Sequence, residues 1–157
     1  MSDWSTGWHS GILYQPTPTT RFGLSYHSKV THDITGYSLL TGPLAPNGVS
    51  EMLNDATSSI ALPAHTTLSA YHDMNNRWAV MGSIIYTQWS TLKDITLNNV
   101  AGPTGATNIT IPENFKNTWR FSAGTNYKVT DQWLLRTGIG YDANPTNNTD
   151  RNLILPD

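Results

Sequence analysis

Apolar and polar side chains alternate most clearly between residues 68 and 89. One alternate set is apolar and has an aromatic residue at each end: Trp78, Val80, Gly82, Ile84 and Tyr86. The other set is mixed: Ala79, Met81, Ser83, Ile85 and Thr87. Alternate side chains of a β-strand point to opposite faces, and the run has the length of a tilted strand that crosses a bilayer, roughly 9–11 residues. The polar residues 73–77 predict a tight hairpin turn, since asparagine tolerates left-handed backbone.

The same period of two recurs along the chain and predicts about seven strands. They cover residues 8–15, 21 to about 30, 57–72, 78–89, 116–129, 133–142, and a last strand that starts near 151. The second strand could continue towards Tyr37, and Pro63 predicts a bend, a bulge or an edge in the third. Short turns alternate with long linkers at 38–56 and 92–114, which are rich in Gly, Pro, Asn and Ser.

Aromatic residues flank each short turn. The pairs are Tyr14 and Phe22, Tyr71 and Trp78, and Tyr127 and Trp133. Outer-membrane barrels have short periplasmic turns, long extracellular loops and aromatic girdles, so the pattern favours an all-β, antiparallel, up-and-down transmembrane β-barrel. The alternative is a soluble β-sandwich whose core holds these aromatics.

Seven strands do not close a barrel, which normally has an even number starting at eight. In lipid an open sheet edge leaves backbone groups unpaired, at several kcal/mol each. We therefore expect residues 1–157 to form one partial barrel domain that needs the remainder of its barrel or another copy for closure. No secretory signal opens the chain, and it ends directly after an apolar alternation, which also indicates a piece of a longer protein.

Composition narrows the function. The net charge is −2 and only 13% of residues are charged, which argues against a nucleic-acid partner. The chain contains no cysteine and no apolar run long enough for a membrane helix. The mean hydropathy of −0.37 is compatible with a membrane barrel, because every second residue of a barrel strand faces a polar interior.

Candidate chemistry is sparse. His27 and His32 have opposite parity, as have His65 and His72, so neither pair can chelate a metal within one strand. A Gly-x-Ser-x-Gly nucleophile motif is absent, and we expect no enzyme activity, no metal and no cofactor.

The glycines at 138 and 140 are expected to leave space on the inward side. Parity places several charged or basic side chains of the strands on the inward side: Arg21, His27, Lys29, Arg120, Lys128, Arg136 and Asp142. Met81, Ile85 and Leu134 share that interior, which suits an amphipathic ligand better than a water-filled pore.

Several motifs, in order over nearly the whole chain, carry a family resemblance. They lie at Gly11–Tyr14, Arg21–Val30, Trp78–Ser90, Phe115–Tyr127, Trp133–Pro145 and Arg151–Asp157. The sequence resembles the FadL family of outer-membrane transporters for long-chain fatty acids and other hydrophobic compounds.

The resemblance implies a fourteen-stranded barrel with an N-terminal hatch, a greasy lumen pocket and a sideways exit through the barrel wall. The chain matches part of the C-terminal half, without the hatch, the early strands and the final strands. The implied location is the outer membrane of a Gram-negative bacterium, among its lipids. The implied function is passive transport of fatty acids or other hydrophobic compounds. Candidate ligand-binding residues are Lys93, Arg120, Arg136, Met81 and Ile85.

Two other functions stay open at this point. A soluble all-β ligand-binding module would use the linkers 38–56 and 92–114 as ligand loops, and detergent dependence distinguishes it from a barrel. A barrel-embedded enzyme would hydrolyse a lipid ester.

Overall fold

The computed structural model describes residues 4–45 and 51–146, which form ten β-strands. Within these ranges the helical content is limited to two short 3₁₀ turns, Gly42–Leu44 and Trp89–Thr91. The strands are β1 His9–Thr17, β2 Thr20–His27, β3 Val30–Thr41, β4 Glu51–Leu62, β5 His65–Asp73, β6 Trp78–Thr87, β7 Asp94–Gly102, β8 Gly105–Pro112, β9 Thr118–Lys128 and β10 Leu134–Asp142.

Six of the strands form the main sheet, in the order β1-β2-β5-β6-β9-β10. All neighbours are antiparallel, and β5, β6 and β9 pair in register over most of their length. The three predicted short turns lie between β1 and β2, β5 and β6, and β9 and β10. They therefore lie at the same end of the strands, which we call the short-turn end. The opposite end of the strands is the long-connection end.

A second sheet of four antiparallel strands, β3-β4-β7-β8, is formed by residues 30–37 and 57–62 and by much of the two long linkers. Their Gly, Pro, Asn and Ser content indicates loops, yet β3 pairs with β4 in register from Val30 opposite Leu62 to Thr41 opposite Glu51. Cross-strand hydrogen bonding and side-chain pairing outweigh weak strand propensity here. The all-β antiparallel class is confirmed, with more strands than the seven expected. The expected strand near Arg151 lies outside the described residues.

The main sheet has one continuous apolar face. The register places one large apolar side chain on every strand in a single row: Ile12, Leu24, Leu68, Ile84, Phe121 and Tyr141. All six are exposed. A soluble monomer rarely exposes a patch of this extent.

The β-sandwich alternative is wrong for this chain. It required a compact core around Trp78, Ile84, Phe121 and Ile139, whose exposed fractions are 45%, 37%, 47% and 79%. In the described part of the chain, extensive strand-to-strand contact occurs only within each sheet and not between the two sheets. Within residues 4–45 and 51–146 no second layer covers these aromatic and aliphatic side chains, so they remain exposed.

The turn between β5 and β6 is tight, but not for the expected reason. Among the described non-glycine residues, only Asn99 and Asn114 have a positive φ. Asn75 acts through its side chain, whose Oδ1 accepts hydrogen bonds from the backbone N–H groups of Arg77 and Trp78, both at 2.9 Å. This is the local hydrogen bonding by which asparagine stabilises turns.

Candidate functional site

The face opposite the apolar one bears an open, concave cavity of about 930 Å³, and we call it the cavity face. All six strands of the main sheet contribute, from Leu13 on β1 to Arg136 and Gly138 on β10. Small residues form most of its floor: Gly23, Ser69, Ser83, Ser122, Gly124 and Gly138. Leu13 and Met81 add apolar surface, and Arg21 adds a second positive charge.

The floor is hollow because large side chains are missing from its centre. A Cβ at Gly124 would lie 3.4 Å from Cγ of Met81, and a Cβ at Gly138 would lie 3.1 Å from the backbone oxygen of Ala123. The hydroxyls of Ser83 and Ser122 hydrogen-bond each other at 2.7 Å. The two serines thus satisfy their own polar groups across the strands and leave the space above them open.

Two arginines at the cavity have different surroundings. The guanidinium of Arg21 lies 4.7 Å from the ring centroid of Tyr71, a cation–π contact. The hydroxyl of Tyr71 donates a 2.7 Å hydrogen bond to Asp73. Across residues 4–45 and 51–146, no ion pair or hydrogen bond engages the Arg136 side chain. Arg136 can therefore accept a new anionic partner without giving up an existing contact, whereas Arg21 already contacts Tyr71.

The structure brings some of the expected ligand-binding residues together and separates others. Met81 and Arg136 line the cavity. Ile85 and Arg120 are register partners two residues along from Ser83 and Ser122, so they share the cavity face. Lys93 lies elsewhere, in a separate hollow of about 430 Å³ beside the second sheet.

Other charged side chains that were expected to face inward form ion pairs. Arg120 donates hydrogen bonds to the carboxylate of Asp142 and forms an ion pair with it. Lys128 pairs at 2.8 Å with Asp131 in the turn before β10. That pairing lowers the pKa of Asp131, first through the hydrogen bond and then through the charge of Lys128. Lys29 lies between β2 and β3 rather than in a strand.

Two contacts could not be predicted from the sequence: that of Tyr71 with Arg21, and the close spacing of three histidines. Arg21 is opposite Tyr71, and His27 is opposite both His9 and His65, in the register of neighbouring strands. Parity within one strand carries no information about such partners. The ring centroids of His9 and His27 are 5.3 Å apart, and those of His27 and His65 are 4.4 Å apart, with the rings nearly parallel.

Aromatic pairs mark both ends of the apolar face. Trp78 and Tyr127 meet at the short-turn end with ring centroids 6.0 Å apart. Tyr86 and Trp119 meet at the long-connection end, 4.6 Å apart. Two aromatic girdles around an apolar band are typical of a sheet that spans an outer membrane. Within the described residues, no helix combines the length and apolarity that crossing a bilayer requires.

Comparison with known proteins agrees with this architecture. The family model described as "Outer membrane protein transport protein (OMPP1/FadL/TodX)" matches residues 1–157. The long-chain fatty acid transport protein of Salmonella typhi is 31% identical over 99% of this chain and 37% of its own length. The 47 kDa outer membrane protein of Pasteurella multocida is 35% identical over 88% of this chain and 34% of its own length.

Solved structures show the same likeness. A FadL homologue of Pseudomonas aeruginosa superposes with a TM-score of 0.77 and 28% identity, over 93% of this chain and 36% of that protein. The toluene transporter TodX of Pseudomonas putida superposes with a TM-score of 0.68, at 24% identity, over 87% of this chain and 34% of its own. The chain thus spans about a third of the length of the relatives it matches. Since the family model covers every residue, the chain belongs to the OMPP1/FadL/TodX family of outer membrane transport proteins.

Proposed function

We propose that this chain forms part of the wall of a passive outer-membrane channel for hydrophobic compounds that carry an anionic head, such as long-chain fatty acids. The main support for this proposal is that the two faces of the main sheet differ in character. One face is an exposed apolar band between aromatic rows, and the other holds a cavity with free positive charge. Family membership supports the Gram-negative outer membrane as the location.

The apolar face would contact the lipid chains, and the cavity face would line the lumen. A charged side chain that faced lipid near the bilayer midplane would destabilise the barrel by about 2–4 kcal/mol. On the cavity face Arg21 and Arg136 can stay hydrated or meet a ligand. Transport then consists of diffusion through successive binding positions, without covalent chemistry and without an energy source.

The cavity suits an amphipathic ligand. Leu13 and Met81 offer apolar contact for a hydrocarbon tail, and the small residues of the floor leave room for it. The planar guanidinium of Arg136 can donate two parallel hydrogen bonds to a carboxylate. This feature favours a fatty acid over an uncharged aromatic hydrocarbon as the ligand.

Closure of the channel requires further strands. β1 and β10 are the outermost strands of the main sheet, and each pairs on one side only within the described residues. An unpaired strand edge in lipid leaves backbone N–H and C=O groups without hydrogen-bond partners, which costs free energy. We propose that the remainder of the barrel pairs with these edges, so function resides in the complete barrel.

The test is fatty-acid binding to the complete barrel that contains this chain, purified in detergent. Arg136→Ala should weaken binding of a long-chain fatty acid about tenfold, the lower end of what a charge-assisted hydrogen bond contributes. Binding of the matching fatty alcohol should be unchanged, because it has no carboxylate. An equal loss for both ligands would mean that Arg136 acts only through packing.

The matched control removes Arg120 together with Asp142. Because these two residues neutralise each other, the double replacement by alanine keeps the net charge of the lumen and should change affinity little. Lys93→Ala examines the basic position that the family resemblance indicates. Because Lys93 lies in a separate hollow, it should weaken fatty-acid binding at a second position, independently of Arg136. Uptake of small sugars with no fatty-acid binding would identify a general porin instead.

A further inference from the structure

We propose that His27 and His65 form a bidentate binding site for a divalent transition-metal ion of the Zn²⁺, Ni²⁺ and Cu²⁺ class. The site lies on the cavity face at the long-connection end of the main sheet, away from Arg21 and Arg136. It goes beyond the transport function, because it depends only on the pairing of β2 with β5.

Strand register creates the site. His27 is directly opposite His65, and both have the parity of the cavity-lining residues Gly23 and Ser69. Their ring centroids are 4.4 Å apart with an interplanar angle of 11°. This spacing is close to the separation of neighbouring strands, about 4.8 Å, as expected for side chains that rise side by side from one sheet face.

The two rings must rotate before they can hold an ion, because stacked planes do not meet at a common point. Metal–imidazole bonds of about 2.0–2.1 Å require the two ligating nitrogens to lie roughly 3 Å apart. Rotation of each ring about its side-chain torsions, of which the His χ2 is broad, turns the two nitrogen lone pairs towards one ion, and water would complete the coordination. Imidazole is a preferred ligand of Zn²⁺, Cu²⁺ and Ni²⁺, whereas carboxylates suit Mg²⁺ and Ca²⁺.

The two imidazoles are available for ligation. Across the described ranges no hydrogen bond engages the side chain of His27 or His65, whereas His72 bonds the Thr20 hydroxyl at 2.9 Å. His27 is exposed and His65 is half-buried. Residues 4–45 and 51–146 hold no group of three or more His, Asp or Glu side chains around one point, so the site rests on the pair. His9 lies beside His27 at 5.3 Å and is the nearest additional imidazole.

The experiment uses the complete barrel in detergent, without a histidine tag. Cu²⁺ is added, and electron paramagnetic resonance detects nitrogen ligands, while calorimetry with Ni²⁺ gives the affinity. We expect about one equivalent of ion with imidazole nitrogens, and a loss of affinity of at least about tenfold in His27→Gln and in His65→Gln. His72→Gln is the matched control, since His72 belongs to β5 but has the opposite parity, and it should bind like the wild type.

Absence of nitrogen-bound Cu²⁺ in the wild type, or full affinity in the double variant, would overturn the proposal. Because a variant could fail to fold, the wild type provides an independent measurement. Zn²⁺ should protect His27 and His65, but not His72, from carbethoxylation as mapped by mass spectrometry. Equal modification of His27 and His65 with and without Zn²⁺ would also refute the site.

Discussion

Replacement of Ile139 by arginine tests whether the apolar face contacts lipid. Ile139 is 79% exposed and lies in the register row of Ala123 and Gly82. Gly82 is midway between Trp78 and Tyr86, which belong to the two aromatic rows. In a strand tilted by about 40°, half of that span rises roughly 10 Å along the membrane normal. Ile139 is therefore placed near the centre of the apolar band.

The expected cost follows from this depth. Arginine on the lipid face near the midplane destabilises a barrel by about 2–4 kcal/mol. If Ile139 faced water instead of lipid, its replacement would change the free energy of unfolding by no more than about 0.5 kcal/mol. The two environments thus predict clearly different results for one substitution.

The assay is urea unfolding of the complete barrel in phosphatidylcholine vesicles, followed by tryptophan fluorescence. Gly140→Arg is the matched control, because residue 140 is next in β10 and faces the cavity side. A Cβ there would meet the Phe121 backbone oxygen at 3.6 Å, an ordinary contact. We expect the control to change stability by less than about 1 kcal/mol. An Ile139→Arg effect as small as that of the control would refute the lipid-facing assignment.

Three further predictions concern the cavity and the turns. Gly124→Leu should fill the cavity floor beside Met81 and slow fatty-acid uptake several-fold, with fold stability, checked by urea unfolding, within about 1 kcal/mol of wild type. Asn75→Ala should destabilise the barrel by about 1 kcal/mol in the same unfolding assay, since the Arg77 N–H loses its acceptor and the Trp78 N–H keeps only its 3.3 Å bond to the backbone oxygen of residue 75. The pKa of Asp131 is lowered by Lys128, so its small stabilising effect should be present above the ordinary aspartate pKa and lost as the pH falls through the lowered value. Because Asp131 is exposed, high salt should abolish this pH dependence, as measured by unfolding at two ionic strengths.

Much of the main sheet could be predicted because its signal is local. The strand at Trp78 was placed within two residues, and the short turns before Thr20 and before Trp78 were identified from proline and asparagine. The second sheet was not predicted, because residues 38–56 and 92–114, which hold β7, β8 and parts of β3 and β4, have a loop-like composition. Their strands form through pairing with each other, which is a property of distant residues.

The candidate site was predicted less completely than the fold. Parity correctly grouped Met81 with Arg136, since both line the cavity. It did not reveal that Arg120 is neutralised by Asp142 or that Tyr71 holds Arg21, because both contacts cross from one strand to another. Lys93 came from the family resemblance alone, and the structure places it beside a different hollow.

The sequence by itself determined the two-faced character of the chain, because alternation along a strand depends only on backbone geometry. It also determined which side chains an apolar solvent would accept. Tertiary structure alone decided which residues stand beside each other across the sheet: the open floor around Gly124 and Gly138, the free charge of Arg136, and the contact of His27 with His65. The physical reason is that the register between strands results from the sum of many weak cross-strand contacts, and no single segment encodes that sum.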